Sequence, residues 1–456
     1  GVAGSQLNVT IKAINPSSIN VNLEKTSGAT EIDINTPLES NQSWEKSFMM
    51  TLPDKISTPY WLLEKGTLGN YNVSNDNLKG LPETPNPIHI EFHLNIDGTN
   101  IPFRVPLSYR TTDRVAGEII SDFQLLPKIT CKLSNDIYLF ENNNSKKIRV
   151  QVQAHGSLKE GLVQLLVPEG WEVMPKNHPI AELKAGATKD FIFDVTPPNG
   201  NATGRFFSTV TEGTSQYQMK LTTIEYPHIS KQYMLTPNES KGVKIDFETK
   251  VKNIAYLQGA GDKVAESLRN IGLKVTEFSL DELRLESIIP FPTLVVGIRA
   301  FNVNKELSFK NEILWDYVEQ GGTVIVQYNT SRGIDSSIVA PYPISLSRDR
   351  VTDETSEVTF INPKHPILNT PNKISQADFE DWVQERGLYF ADNWGSQFTP
   401  LLSMKDLGES PKNGSLLVAD YGKGKFIFTG LSFFRELPAG VAGAYRLFAN
   451  LISYGK

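Results

Sequence analysis

Residues 6 to 13 alternate polar and apolar side chains, the period-two pattern of a half-buried strand. Similar stretches recur at 18 to 23, 88 to 95 and 102 to 108. Between them stand Pro53, Pro59, Pro82, Pro85 and Pro87 with Gly66, Gly69 and Gly80, residues that interrupt sheet ladders and fix turns. The spacing predicts a β-sandwich of about 110 residues. It carries a long ordered insertion at 57 to 82, in which Tyr60, Trp61 and Tyr71 offer apolar area to bury. A second set of short strands, at 148 to 155, 163 to 168, 189 to 197, 204 to 210 and 216 to 221, predicts another antiparallel sandwich.

The pattern changes near residue 245. An apolar strand at 251 to 257 runs into Gln258-Gly259-Ala260-Gly261-Asp262, then a helix with Val264, Leu268 and Ile271 on one face. Strands follow at 273 to 278, 293 to 298 and 323 to 327, the last after a helix carrying Ile313, Leu314, Tyr317 and Val318 and closed by Gly321-Gly322. Strand and helix alternating at this spacing predict a doubly wound, flavodoxin-like α/β unit with a parallel sheet covered on both faces. A hairpin turning at Gly422 to Lys425 and a helix over 440 to 453 complete it. The expected division is 1–118, 119–230 and 231–456: two immunoglobulin-like antiparallel β-sandwiches, the first with the insertion, then the α/β domain.

Composition narrows the functions open to such a chain. It has 456 residues, 21 % of them charged, and a formal net charge of -6, which gives no reason to expect nucleic acid as a partner. Cys131 is the single cysteine, so neither an intrachain disulfide nor a Cys-rich metal site is available. Flanked by Ile129-Thr130 and Lys132-Leu133, it reads as a strand residue. No apolar run approaches the roughly eighteen residues of a membrane span. The chain opens Gly1-Val2-Ala3-Gly4, and the natural polypeptide is expected to continue upstream with a signal peptide or a further domain. The expected location is extracytoplasmic, periplasmic or secreted from a bacterium.

Ligands of open α/β sheets bind beyond the C-terminal ends of the strands. That rule selects Gln258, Gly259 and Asp262 after the first strand, Arg299 and Asn302 after the third, and Tyr328, Asn329 and Arg332 after the fourth. Arg435, beside Phe433 and Phe434, is positioned to close over the same edge. Amides, aromatics and guanidinium forks suit a polyhydroxylated or carboxylated ligand. Alternatively, Arg299 holds loop carbonyls and Asn329 occupies a left-handed turn. Gly259-x-Gly261 lacks the third glycine of a dinucleotide fingerprint, since position 264 is Val, and Asp262 reads equally as a helix cap. Residues 376 to 386 read as a helix capped by Ser375, with Phe379, Trp382 and Val383 on a packing stripe and Asp378, Asp381 and Glu385 on a solvated one. An acid–base pair among those carboxylates is the alternative.

Three resemblances bear on function. The order "VPEGWEVMP", a Leu-Lys-Ala-Gly turn at 183 to 186 and "FIFDVTPP" resembles immunoglobulin-like modules found beside glycosidase and other secreted catalytic domains, which makes Trp171 a core or interdomain residue, or else a sugar-stacking one. The third unit resembles the class I glutamine-amidotransferase-like fold, but the turn where that family carries its nucleophilic Cys reads Gln327-Tyr328-Asn329-Thr330. Motifs from Gly259-Ala260-Gly261-Asp262 to Thr429-Gly430-Leu431-Ser432-Phe433-Phe434-Arg435-Glu436 resemble the C-terminal region of Bacteroidetes-type PIG-L/LmbE-like deacetylases. That family's catalytic domain holds its metal with a His-Pro-Asp-Asp motif. His178-Pro179 and His365-Pro366 both continue with Ile, so neither matches it, and His365 reads as a turn or packing residue. The resemblance implies a non-catalytic accessory region of an envelope- or glycan-directed deacetylase, with no catalytic residue and no cofactor of its own. Zinc or another divalent metal is expected only in a catalytic domain upstream in cis. A cryptic carbohydrate hydrolase using Tyr328, Arg299, Asp378, Asp381 or Glu385, and a purely structural scaffold, are the alternatives.

Overall fold

The computed structural model describes residues 1–67 and 69–456. Gln6–Ile14 pairs antiparallel with Ser43–Thr51, and the pair shares one core with a four-stranded antiparallel sheet ordered Ile32–Pro37, Val21–Gly28, His89–Ile96 and Thr99–Pro106. Alternation does the burying: Val9, Ile11, Met50, Ile90 and Phe92 point inward. The strand expected at 18 to 23 lies at Val21–Gly28, its pattern masked by the fully buried Thr26. The one expected at 102 to 108 begins at Thr99, because Asp97 and Gly98, both at positive φ, form the tight turn before it. Within the expected insertion, residue 68 lies outside the described residues. Tyr60 is buried there, its hydroxyl donating to the Leu81 carbonyl at 3.0 Å, whereas Tyr71 stays 68 % exposed, contrary to expectation.

The second unit is a sandwich. One sheet runs Glu172–Met174, Thr188–Thr196, Lys146–Ala154, Ile129–Leu133, and the other Ile137–Phe140, Glu239–Lys244, Ala202–Glu212, Gly161–Leu166, His178–Ile180. Glu239–Lys244, which the expected division leaves to the third unit, is hydrogen-bonded into this sheet. Trp171 lies in the core, edge-on to Phe140 and Phe206 at 5.0 Å each. Cys131 is a buried strand residue whose Sγ faces the Ser208 carbonyl.

The third unit is built on seven strands: β1 Asn253–Leu257, β2 Lys274–Phe278, β3 Thr293–Val296, β4 Thr323–Val326, β5 Thr399–Pro400, β6 Leu416–Tyr421 and β7 Gly424–Thr429. Their order is β2-β1-β3-β4-β7-β6-β5, parallel from β2 through β7 and antiparallel beyond. Alternate residues feed opposite layers: Ile254, Val295, Ile325 and Ile427 meet helices α1 (Val264–Asn270) and α3 (Ala442–Ser453). Leu257, Val296, Val326 and Phe428 meet α2 (Leu307–Glu319). The α/β doubly wound expectation holds. A layer the sequence did not signal lies between β4 and β6, where Ile344–Leu346, Arg350–Val351 and Thr359–Phe360 each pair with a short strand.

The expected helix over 376 to 386 is absent. Ser375 does cap a turn, but only Gln376–Phe379 coils, as a 3-10 helix. Asp381 and Gln384 then take φ of 59° and 68°, which no right-handed helix accommodates. Second and third units share apolar contacts, Leu139, Val243 and Ile245 packing into the α1/α3 layer. Beside them opens a polar crevice of about 610 Å³ lined by Lys132, Asp136, Lys220, Lys263 and Glu266.

Candidate functional site

The β2-β1-β3 reversal of strand order makes the C-terminal edge of the sheet the place where loops diverge and a ligand fits. After β1, Gly259 is pressed against the Ile298 carbonyl and the Gly297 backbone, and a Cβ there would overlap them. Its role is a close crossing of the loops after β1 and β3. Asp262 completes that crossing: both its oxygens accept from the Tyr256 hydroxyl at 2.7 Å, and it also accepts from the Val264 and Ile298 N–H groups. The Gln258 side chain donates to Glu277 at 3.2 Å, and the Gln258 backbone carbonyl accepts from the Asn304 side-chain amide. The amides likewise hold loops. Asn302 both donates to and accepts from the Thr330 backbone, and buried Asn329 accepts from Phe301 N–H and donates to the Gln327 carbonyl. Arg299, at φ 53°, is left-handed at this edge, whereas Asn329 is not, so the alternative of a left-handed turn at Asn329 does not hold.

Tyr328 is itself buried, and what remains open to a ligand lies around it: half-buried Tyr389, Phe434 and Arg435 and exposed Arg299. The Tyr328 carbonyl accepts from Arg299 N–H at 2.8 Å, and its ring stacks on Tyr389 (centroids 6.1 Å, planes 10° apart) and leans on Phe434 at 5.0 Å. The Arg435 guanidinium lies 4.8 Å over Phe434, its Nε donating to Glu385 at 2.8 Å. Burial pushes the Tyr328 phenol up, while Arg299 and Arg435 oppose that shift. Arg299 is exposed, and its guanidinium makes no ion pair or hydrogen bond among the described residues. Arg332 is exposed nearby in sequence, its carbonyl facing Thr330 Oγ1. Tyr389 and Phe434 were not singled out from sequence. Their only signal was aromatic density in 387 to 390 and 433 to 436, because the contacts with Tyr328 cross about sixty residues and more than one hundred.

The three carboxylates of 376 to 386 do not share a solvated stripe. Asp378 is buried against Arg446 at 2.7 Å, Glu385 is buried against Arg435, and Asp381 alone is exposed. Trp382 is a buried anchor as expected, its Nε1 donating to the Asp378 carbonyl at 3.0 Å. Beneath them sits Glu436, fully buried, accepting from Val383 N–H and Ser432 Oγ. Burial raises this carboxyl to about 7, against the pull of Arg386 and Arg435. His365 caps the Pro366–Leu368 turn and contacts the Tyr454 hydroxyl. No group of three or more His, Cys, Asp or Glu positioned to hold a metal ion occurs among the described residues.

Residues 141–213 match the family described as NPCBM-associated, NEW3 domain of alpha-galactosidase. Among curated proteins, none matches the chain. A solved structure, the exo-beta-1,4-mannosidase Op5Man5 from Opitutaceae bacterium strain TAV5, aligns at 12 % identity and a TM-score of 0.28. That alignment covers 44 % of this chain and 36 % of the mannosidase. The family match falls in the second sandwich, on the segment resembling modules beside glycosidase domains. It overturns the likeness to PIG-L/LmbE-like deacetylases and the amidotransferase-like identity drawn with it. The role as a deacetylase accessory falls with them: the matched domain is described with a glycoside-cleaving enzyme. The error arose from strand-end loop motifs of a widely shared doubly wound fold, which carry topology more than identity.

Proposed function

We propose that this chain is the glycan-associated part of a carbohydrate-active protein, engaging carbohydrate at the strand-end rim around Tyr328. The match of residues 141–213 to a domain of alpha-galactosidase carries the reading. The rim supports it: half-buried Tyr389 and Phe434 lie beside two guanidiniums, Arg299 unpaired and Arg435 with its Nη groups free of hydrogen bonds, among the described residues. The proposal includes a carbohydrate-active catalytic domain as partner in cis and an extracytoplasmic, periplasmic or secreted location. No described helix is long and apolar enough to cross a membrane. It also includes three structural units, with the last division after Lys244 because Glu239–Lys244 belongs to a sandwich sheet.

Calorimetric titration of the full chain against galacto-, manno- and uronate oligosaccharides is the test. Binding to at least one is expected, with Tyr389→Ala weakening it about tenfold or more, equal to ~1.4 kcal/mol. The same panel used as substrates separates binding from processing: sugar release abolished by a substitution within this chain makes it a hydrolase. Absence of both binding and release across the whole panel overturns the carbohydrate reading.

A further inference from the structure

Two rim residues hold a backbone conformation that L side chains rarely adopt. Arg299 and Tyr389 both sit at φ 53°, where glycine is the unstrained choice. Neither side chain donates or accepts a hydrogen bond within the described residues, so neither conformation is held by a polar contact of its own side chain. Both converge on one residue: Arg299 through its N–H on the Tyr328 carbonyl, Tyr389 by stacking on the Tyr328 ring. Strained residues of this kind cluster at active sites and ligand clamps.

The charge at this point is positive. Among the described residues, Glu385 takes the Nε of Arg435 and leaves the Nη groups of that guanidinium without a hydrogen bond, and Arg299 has no carboxylate partner. A planar fork matches a carboxylate through two parallel N–H bonds, and a phenol ring offers a flat apolar face with a polar tip. We infer that the rim binds a sugar bearing a carboxylate, the anionic group on Arg299 and Arg435 and the sugar ring against Tyr389. This rests on the carbohydrate reading above and names the class of sugar.

The test titrates the full chain with three ligands of equal length: a uronate oligosaccharide, its carboxyl-reduced neutral counterpart and a sulfated neutral oligosaccharide. Expected is tightest binding of the uronate, about tenfold or more over the neutral form, weakening as salt rises. Arg299→Gly is expected to remove that preference while its melting temperature holds or rises, since glycine relieves the strained φ; Arg299→Lys keeps the charge, loses the fork and recovers only part of the affinity. Equal affinity for uronate and neutral forms, tighter binding of the sulfated one, or an unchanged preference in Arg299→Gly overturns the carboxylated-sugar assignment and leaves the carbohydrate reading standing. Binding of none of the three, nor of any other glycan, overturns both.

Discussion

Glu436 shows how a single residue couples to pH. Its carboxyl is raised from 4.5 to about 7 by burial, with Arg386, Arg435 and Lys241 as the charged neighbours that pull the other way. Between those values the folded chain keeps a proton that the unfolded chain releases, so the contribution to stability is full below the lower value and is lost as pH rises to the upper. Stability is expected to fall by an amount on the order of 2 to 3 kcal/mol from pH 5 to pH 8 through this group. In Glu436→Gln that slope is absent, which denaturant melts across the range measure. Sequence pointed to Tyr328, Arg299 and Arg435 by position after strands. It did not distinguish Asp262, Asn302 and Asn329 as loop ties, because a polar side chain in the loop just past a strand reads alike whether it meets backbone or ligand.

The stretch from Ser375 to Arg386 carries the lesson at the level of the element. Offsets of three and four between Phe379, Trp382 and Val383 satisfy a helical pattern, and a capped 3-10 turn followed by two left-handed residues buries Phe379 and Trp382 equally well. What holds the segment is distant. Arg446 on α3 pairs with buried Asp378 and donates to the Asp246 and Lys373 carbonyls at 2.9 and 2.8 Å. Removing one partner of a buried pair strands the other charge. Arg446→Met is expected to cost roughly 3 kcal/mol in chemical denaturation. A change below about 0.5 kcal/mol, the scale of an ordinary surface substitution, would show that the pair does not hold the segment.

Across the whole molecule, the second sandwich and the α/β unit meet through Leu139, Val243 and the loop before α3. Lys241 donates to the Ala439 carbonyl at 3.3 Å, and Gly440, at φ 67°, lies so close that a Cβ would stand 3.0 Å from Ile137 and 3.3 Å from Val243. Gly440→Ala is expected to lower the melting temperature by several degrees, combining a strained φ with a crowded contact. An unchanged melting temperature would mean that the two units tolerate separation there.

Periodicity alone determined the two-residue alternation of the sandwiches, the apolar parallel strands and the faces of α1 and α3, since these follow from repeats of the backbone within a few residues. Tertiary structure alone decided which charges pair and which aromatics stack. Arg435 meets Glu385 across 50 residues and Arg446 meets Asp378 across 68, and the reach of such contacts depends on where whole loops come to rest.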